Sequence, residues 1–142
     1  MISDADMLNH VYQAADMGRA GILDLLKLAE DSSFRQSLNQ QLAEYETLMS
    51  QAGSMMRSRH IQREEASPMA KISSQMMTTV KSLGDRSPSH LAEMMIQGNT
   101  MGVTKSIKHL NDNQHGDSEI RHLAEKLLAT EQANIDQMKT YL

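Results

Sequence analysis

The chain has 142 residues, a length that suits a single domain and is sufficient to bury a core without disulfides. It contains no cysteine, which excludes disulfides, thiolate zinc sites and cysteine nucleophiles. The net charge is -4 with acidic and basic residues interspersed, so no nucleic acid or anionic membrane is expected as a partner.

The composition favours helices. Aromatic residues make up only 3%, and two prolines and seven glycines leave few interruptions in a chain rich in good helix formers. No apolar run approaches the roughly 20 residues needed to span a bilayer. The first six residues contain two aspartates and no basic residue, whereas a secretory signal would begin with basic residues followed by apolar ones. We therefore expect an all-α, cytoplasmic protein.

The first two predicted helices span residues 3–30 and 32–62. Ser3 is the predicted N-cap of the first, and the second begins at Asp31. Apolar or small residues recur every three or four positions, which predicts one buried face on each helix. On the first helix they are Leu8, Val11, Ala15, Gly18, Ile22, Leu25 and Ala29. On the second they are Phe34, Leu38, Leu42, Tyr45, Met49, Ala52 and Met56.

Positive charge gathers near the end of the second helix, at Arg57, Arg59, His60 and Arg63. These side chains complement the negative end of the helix dipole. A basic binding patch is the alternative, but acidic residues at 64 and 65 follow at once, so we favour the structural interpretation.

Both prolines follow a serine, and Ser-Pro is a helix-start signal. The pairs at Ser67 and Ser87 predict a third helix over 68–83, closed by Gly84, and a fourth over 88–110. A polar loop then leads to a fifth helix over 117–141. Its apolar face consists of Ile120, Ala124, Leu127, Leu128, Ile135, Met138 and Leu142.

The two halves of the chain resemble each other. The sequence DSSFR at 31–35 matches DSEIR at 117–121, and the Met-Gly pair at 17–18 matches the pair at 101–102. The matching residues are few, so chance remains an alternative to duplication. A duplication predicts two equivalent hairpins, with the helix at 68–83 in the crossover between them. The predicted domain is then a single four-helix bundle over 1–142, with an extra helix in its connection.

This arrangement resembles the ferritin-like superfamily. The stretch SHLAEMMIQGNTMG at 89–102 also resembles uncharacterised bacterial proteins of that kind. The resemblance implies a bundle with one crossover and, where iron is bound, inward Glu residues with a Glu-x-x-His on two helices. The centres of the second and fifth helices, at 44–49 and 131–134, contain no histidine. The single Glu119-x-x-His122 lies in the first turns of the last helix. We expect no di-iron site, no other metal and no cofactor.

Glu131 falls on the apolar face of the last helix, where a carboxylate needs a partner. We expect a hydrogen bond to Tyr45 across the bundle, with an orientation toward solvent as the alternative. A weaker alternative is a metal or ligand site that joins Glu131 to Glu46 or Asn134.

Methionine and glycine are both used in unusual ways. The 13 methionines include adjacent pairs at 55–56, 76–77 and 94–95. Neighbours on a helix point about 100° apart, so we interpret them as core filling and not as copper ligands. Gly18, Gly21, Gly98 and Gly102 lie inside predicted helices, which indicates close approach of two helix backbones within the bundle or between subunits.

None of the six histidines belongs to a recognisable catalytic motif, and no phosphate-binding loop is present. We expect a non-catalytic bundle that acts through a protein surface, as a homo-oligomer. The resemblance implies two alternatives: a metal-binding, oxidoreductase or storage protein with an atypical site, and a bacterial stress or spore-associated structural protein.

Overall fold

A computed structural model describes residues 1–64 and 84–142, and these two stretches contain four helices. They are α1 (Asp4–Leu26), α2 (Ser32–Ser58), α3 (Pro88–Asp112) and α4 (Ser118–Lys139). The described residues contain no β-strand, so the prediction of an all-α four-helix protein is confirmed for them. The helix expected at 68–83 lies outside the described part of the chain.

Each helix begins where the sequence predicted. The residue before its first turn has a side-chain oxygen that accepts a hydrogen bond from a backbone N–H of that turn. These N-caps are Ser3, Asp31, Ser87 and Asp117. A cap of this kind stabilises a helix by about 1 kcal/mol, which explains why such short signals locate the starts reliably.

The ends of the first two helices were predicted a turn too late. The backbone of α2 leaves the helix at His60, which has a left-handed φ of 56°. Its N–H donates to the carbonyl of Arg57, and the next N–H, of Ile61, donates to the carbonyl of Met56. This pair of bonds is a Schellman motif, which ends a helix even without glycine at the left-handed position.

The turn after α1 is closed by the guanidinium of Arg35. Its Nη1 donates to the carbonyl oxygens of Leu26 at 2.5 Å and Ala29 at 2.8 Å. These carbonyls are free of helical hydrogen bonds because the helix has ended, so the arginine satisfies them. The residues after Leu26 therefore form a turn where the sequence predicted helix, and Leu28 and Ala29 of this turn are buried.

The second hairpin repeats this contact at matching positions. Nη1 of Arg121 donates to the carbonyl of Leu110 at 2.9 Å and also to that of Asn113. Counted from the N-caps of their helices, the arginine and both acceptors occupy the same places as in the first hairpin. The sequence match between the two DSxxR segments thus corresponds to a shared structural role.

We expect the variants Arg35→Met and Arg121→Met to lower the free energy of unfolding by similar amounts, about 2 kcal/mol each. Hydrogen bonds from a charged donor contribute about 1.5 to 3 kcal/mol, and methionine keeps the aliphatic stem while removing the donors. Urea denaturation measures the effect. The exposed Arg57→Met is the control, and a loss confined to one hairpin would show that the repeated contacts are not energetically equivalent.

The four helices run up, down, down and up. The N–H of Ile2 donates to the carbonyl of Asp112 at 3.0 Å, which places the start of α1 beside the end of α3. Arg59 pairs with Asp117 at 3.1 Å, which places the end of α2 beside the start of α4. The end of α2 and the start of α3 therefore lie at opposite ends of the bundle, as in bundles with one long crossover.

The core lies along the axis of the bundle and receives the predicted apolar faces, except that Leu142 lies beyond the end of α4 and is 64% exposed. Phe34 is fully buried and meets the ring of Tyr141 edge-on, with ring centroids 5.0 Å apart. Methionines 7, 56 and 138 are buried with the aliphatic residues, as core filling requires. None of the four described helices has a stretch long and apolar enough to cross a membrane.

Candidate functional site

Three polar side chains from three helices form a hydrogen-bonded chain inside the bundle. Nε2 of His10 on α1 lies 2.9 Å from Oγ of Ser106 on α3. The Ser106 hydroxyl in turn donates to Oε1 of Glu131 on α4, at 2.8 Å. Their exposed fractions are 5%, 1% and 4%, so the chain is removed from solvent along its whole length.

Burial changes the protonation of both ends of this chain. It raises the pKa of Glu131 to about 7, although the hydrogen bond from Ser106 opposes the shift. It lowers the pKa of His10 to about 3, and positive charge on His109 and Lys105 adds to the decrease. A neutral imidazole is therefore linked to a carboxyl group that titrates near neutral pH.

A second histidine lies between this hydrogen-bonded chain of side chains and the edge of the bundle. The rings of His10 and His109 are stacked, with centroids 4.2 Å apart and an angle of 19° between planes. Nδ1 of His109 lies 2.9 Å from the carbonyl oxygen of Lys105, and since that oxygen only accepts, Nδ1 carries the proton. His109 is half-buried, so it links the enclosed His10 to the surface.

The predicted hydrogen bond between Tyr45 and Glu131 is wrong. The hydroxyl of Tyr45 instead donates to Oδ1 of Asn99 on α3, at 2.9 Å. Glu131 instead accepts a hydrogen bond from Ser106, which lies farther along α3 than Asn99. The two side chains remain electrostatic neighbours, because burial raises the pKa of Tyr45 above its usual range and negative charge on Glu131 adds to that shift.

The glycines make room for side chains. A Cβ at Gly18 would lie 2.7 Å from ring carbons of Tyr45, and one at Gly102 would lie 1.9 Å from Oε2 of Glu131. The predicted approach of two helix backbones is therefore wrong at these positions. Each glycine accommodates a side chain from the other helix of its own hairpin, and Tyr45 and Glu131 occupy matching places in the two hairpins.

The weak metal candidates are not all brought together. Glu131 and Asn134 are both buried on α4, but Glu46 is exposed, because it follows the inward Tyr45 and one residue turns a helix by about 100°. Within residues 1–64 and 84–142, no three His, Asp or Glu side chains are grouped to hold a metal ion.

The arrangement also differs from a catalytic triad. In a triad the acid orients the histidine, and the histidine activates a serine that faces the substrate. Here Ser106 lies between the two, and its hydroxyl is directed to the carboxylate and enclosed by the fold. The three residues form a buried hydrogen-bonded chain, and the serine is not placed to attack a substrate.

Sequence reasoning missed Ser106 and the roles of His10 and Asn99. A signal for Ser106 did exist in the internal repeat. When the two hairpins are aligned from their N-caps, Ser106 takes the position of Ile22, which is 1% exposed in the core. A serine at a core position needs a polar partner, and Glu131 was the one buried carboxylate already suspected.

The chain matches no protein-family model, no curated protein and no solved structure.

Proposed function

We propose that this protein is a non-catalytic, cytoplasmic helical bundle that acts by pairing with a second copy of itself through the outer face of α3. The observation that supports the proposal most directly is an open groove of about 320 Å³ along this helix. Its described lining consists of Thr100, Met101, Thr104, Lys105 and Lys108.

The burial pattern singles out α3 among the described helices. Between Ala92 and Ser106, none of its residues is fully buried, whereas the longest such run in the other three helices is residues 16–21 of α1. Met101 is only half-buried, and 41% of Ile107 is exposed. A partner on this face would cover apolar surface that the described bundle leaves partly open.

The charges on this face suit a second copy. Its outward residues follow helical spacing, and they are Glu93, Gln97, Thr100, Met101, Thr104 and Lys108. The acidic residue stands near the start of the helix and the basic one near its end. In a two-fold pair with antiparallel α3 helices centred between Thr100 and Met101, Glu93 of each copy faces Lys108 of the other.

A charge-swap experiment tests this arrangement. We expect Glu93→Lys and Lys108→Glu each to raise the dimer dissociation constant about tenfold, since each converts two attractive contacts into repulsive ones. The double variant restores both ion pairs with reversed polarity and should recover most of the affinity. Light scattering and sedimentation over a range of concentrations measure the dissociation constants.

The control is Lys27→Glu, which changes the same charge at an exposed site just after the end of α1. It should leave self-association unchanged. A chain that is monomeric at every concentration contradicts the proposal, and so does a double variant that dimerises no better than the single ones.

A further inference from the structure

The geometry points to a proton-driven switch inside the bundle, in which protonation of Glu131 reverses the hydrogen bonds of Ser106 and changes which ring nitrogen of His10 carries the proton. The inference goes beyond self-association and does not depend on it. It follows from the number of hydrogen atoms that each of these three side chains has to share.

The first state has an ionised Glu131. A carboxylate can only accept, so the single hydroxyl hydrogen of Ser106 is used for the contact with Oε1. The contact between Ser106 Oγ and His10 Nε2 then needs a hydrogen from the imidazole. His10 is therefore the Nε2–H tautomer, and its Nδ1 carries no proton.

The second state has a protonated Glu131. Its new O–H donates to Ser106 Oγ, and the Ser106 hydroxyl turns to donate to Nε2 of His10. That nitrogen must now be an acceptor, so the proton of the neutral ring is on Nδ1. The same heavy-atom contacts thus accommodate two opposite directions of hydrogen bonding.

One proton converts the first state into the second with full balance. It binds Nδ1 of His10, the Nε2 proton passes to Ser106, and the former hydroxyl proton of Ser106 passes to Glu131. The ring ends neutral with its proton on the other nitrogen, and the carboxylate has lost its charge. The half-buried His109, stacked on His10, lies where such a proton would approach from the surface.

Burial and the neighbouring charged groups determine whether the added proton resides on His10 or on Glu131. The titratable groups in the hydrogen-bonded chain of His10, Ser106 and Glu131, or close to it, come from all four helices. They are His10 on α1, Tyr45 and Glu44 on α2, Lys105 and His109 on α3, and Glu131 on α4. Burial disfavours a charge on either His10 or Glu131, and the cationic neighbours on α3 further disfavour an imidazolium at His10. An added proton therefore resides on Glu131 and leaves His10 neutral.

Nitrogen NMR of the full chain labelled with ¹⁵N in its histidine rings tests the switch, because a protonated and a bare ring nitrogen have well-separated shifts. The signal of His10 is assigned by its loss in His10→Gln. Between about pH 9 and about pH 5, we expect it to change from the Nε2–H to the Nδ1–H tautomer while staying neutral. A single tautomer over this range would overturn the proposal, as would formation of the imidazolium.

Two variants separate the switch from a general response to pH. Glu131→Gln removes the titrating group, and Ser106→Ala removes the link, so in either variant the tautomer of His10 should no longer change with pH. The matched control His115→Gln removes an exposed histidine and should leave the change intact. If the tautomer of His10 still changes with pH in the folded Ser106→Ala protein, proton transfer through Ser106 is contradicted. This test does not require the Glu131 variant to fold.

Discussion

Replacing Glu131 with glutamine is expected to stabilise the protein by about 3 kcal/mol near pH 9 and to change its stability little near pH 5. The folded-state pKa of this carboxyl is about 7, above the value of 4.5 for an exposed glutamate. The stability that the protonated form contributes is therefore complete below about pH 4.5 and is lost as the pH rises through 7. Glutamine has a similar shape and never ionises, so it avoids this loss.

The wild-type protein should show a plateau of stability because His10 acts in the opposite direction. Its folded-state pKa of about 3 lies below the reference value of 6.5, so its contribution is present above pH 6.5 and is lost as the pH falls toward 3. Between about pH 4.5 and 6.5 the two effects oppose each other. Below this window stability declines as the pH falls toward 3, and above it stability declines until Glu131 is ionised near pH 7 and then levels off. Urea denaturation across the pH range measures both declines.

The variant should abolish the alkaline decline and keep the acidic one. Glu125→Gln, an exposed carboxyl on the same helix, is the matched control and should leave the alkaline decline unchanged. An equal effect of Glu131→Gln at pH 5 and pH 9 would mean that the folded protein does not protonate this carboxyl near neutral pH.

The sequence predicted the features that depend on neighbouring residues. Ser3, Asp31, Ser87 and Asp117 are caps because each is followed by a helical pattern, and the shared DSxxR segments form matching turns. The buried faces followed from spacing alone. Such features depend only on residues close together in the sequence, so they can be predicted without knowledge of how the helices pack.

The partners inside the core depend on how one helix packs against another and were not predictable in the same way. Glu131 and Tyr45 were placed on inward faces correctly, yet each bonds a different residue of α3. The Tyr45–Asn99 bond joins the two hairpins, and the Ser106–Glu131 bond joins the two helices of the second hairpin, so each depends on the axial register of one helix against another. Spacing along one helix contains no information about that register, which explains why Glu131 was identified and Ser106 was not.

The two hairpins differ in where their buried polar residues lie. The second hairpin has Asn99 and Asn134 where the first has Ala15 and Leu48, when both are aligned from their N-caps. The first hairpin has Gln41 where the second has Leu127. Both hairpins thus share their turns and caps, whereas their buried polar residues stand at different positions. We infer that the shared contacts maintain the fold and that the differing residues carry the property specific to this chain.

Replacing Gly18 with alanine is expected to lower the free energy of unfolding by about 2 kcal/mol. The new Cβ would lie 2.7 Å from the ring of Tyr45, which is buried and bonded to Asn99 and therefore has little freedom to move. Overpacking of this kind costs about 1 to 3 kcal/mol. The matched control on the same helix is Gly21→Ala, where nothing lies within 4 Å and alanine should gain about 1 kcal/mol from helix propensity.

A double-mutant cycle identifies the ring as the cause. In a Tyr45→Leu background the added methyl group has room, so Gly18→Ala should there approach the stabilising effect of Gly21→Ala. Urea denaturation of the four proteins in the cycle gives the interaction energy. An unchanged penalty in the Tyr45→Leu protein would mean that the glycine is required by its backbone and not by the tyrosine, and the matching role assigned to Gly102 beside Glu131 would then lose its support.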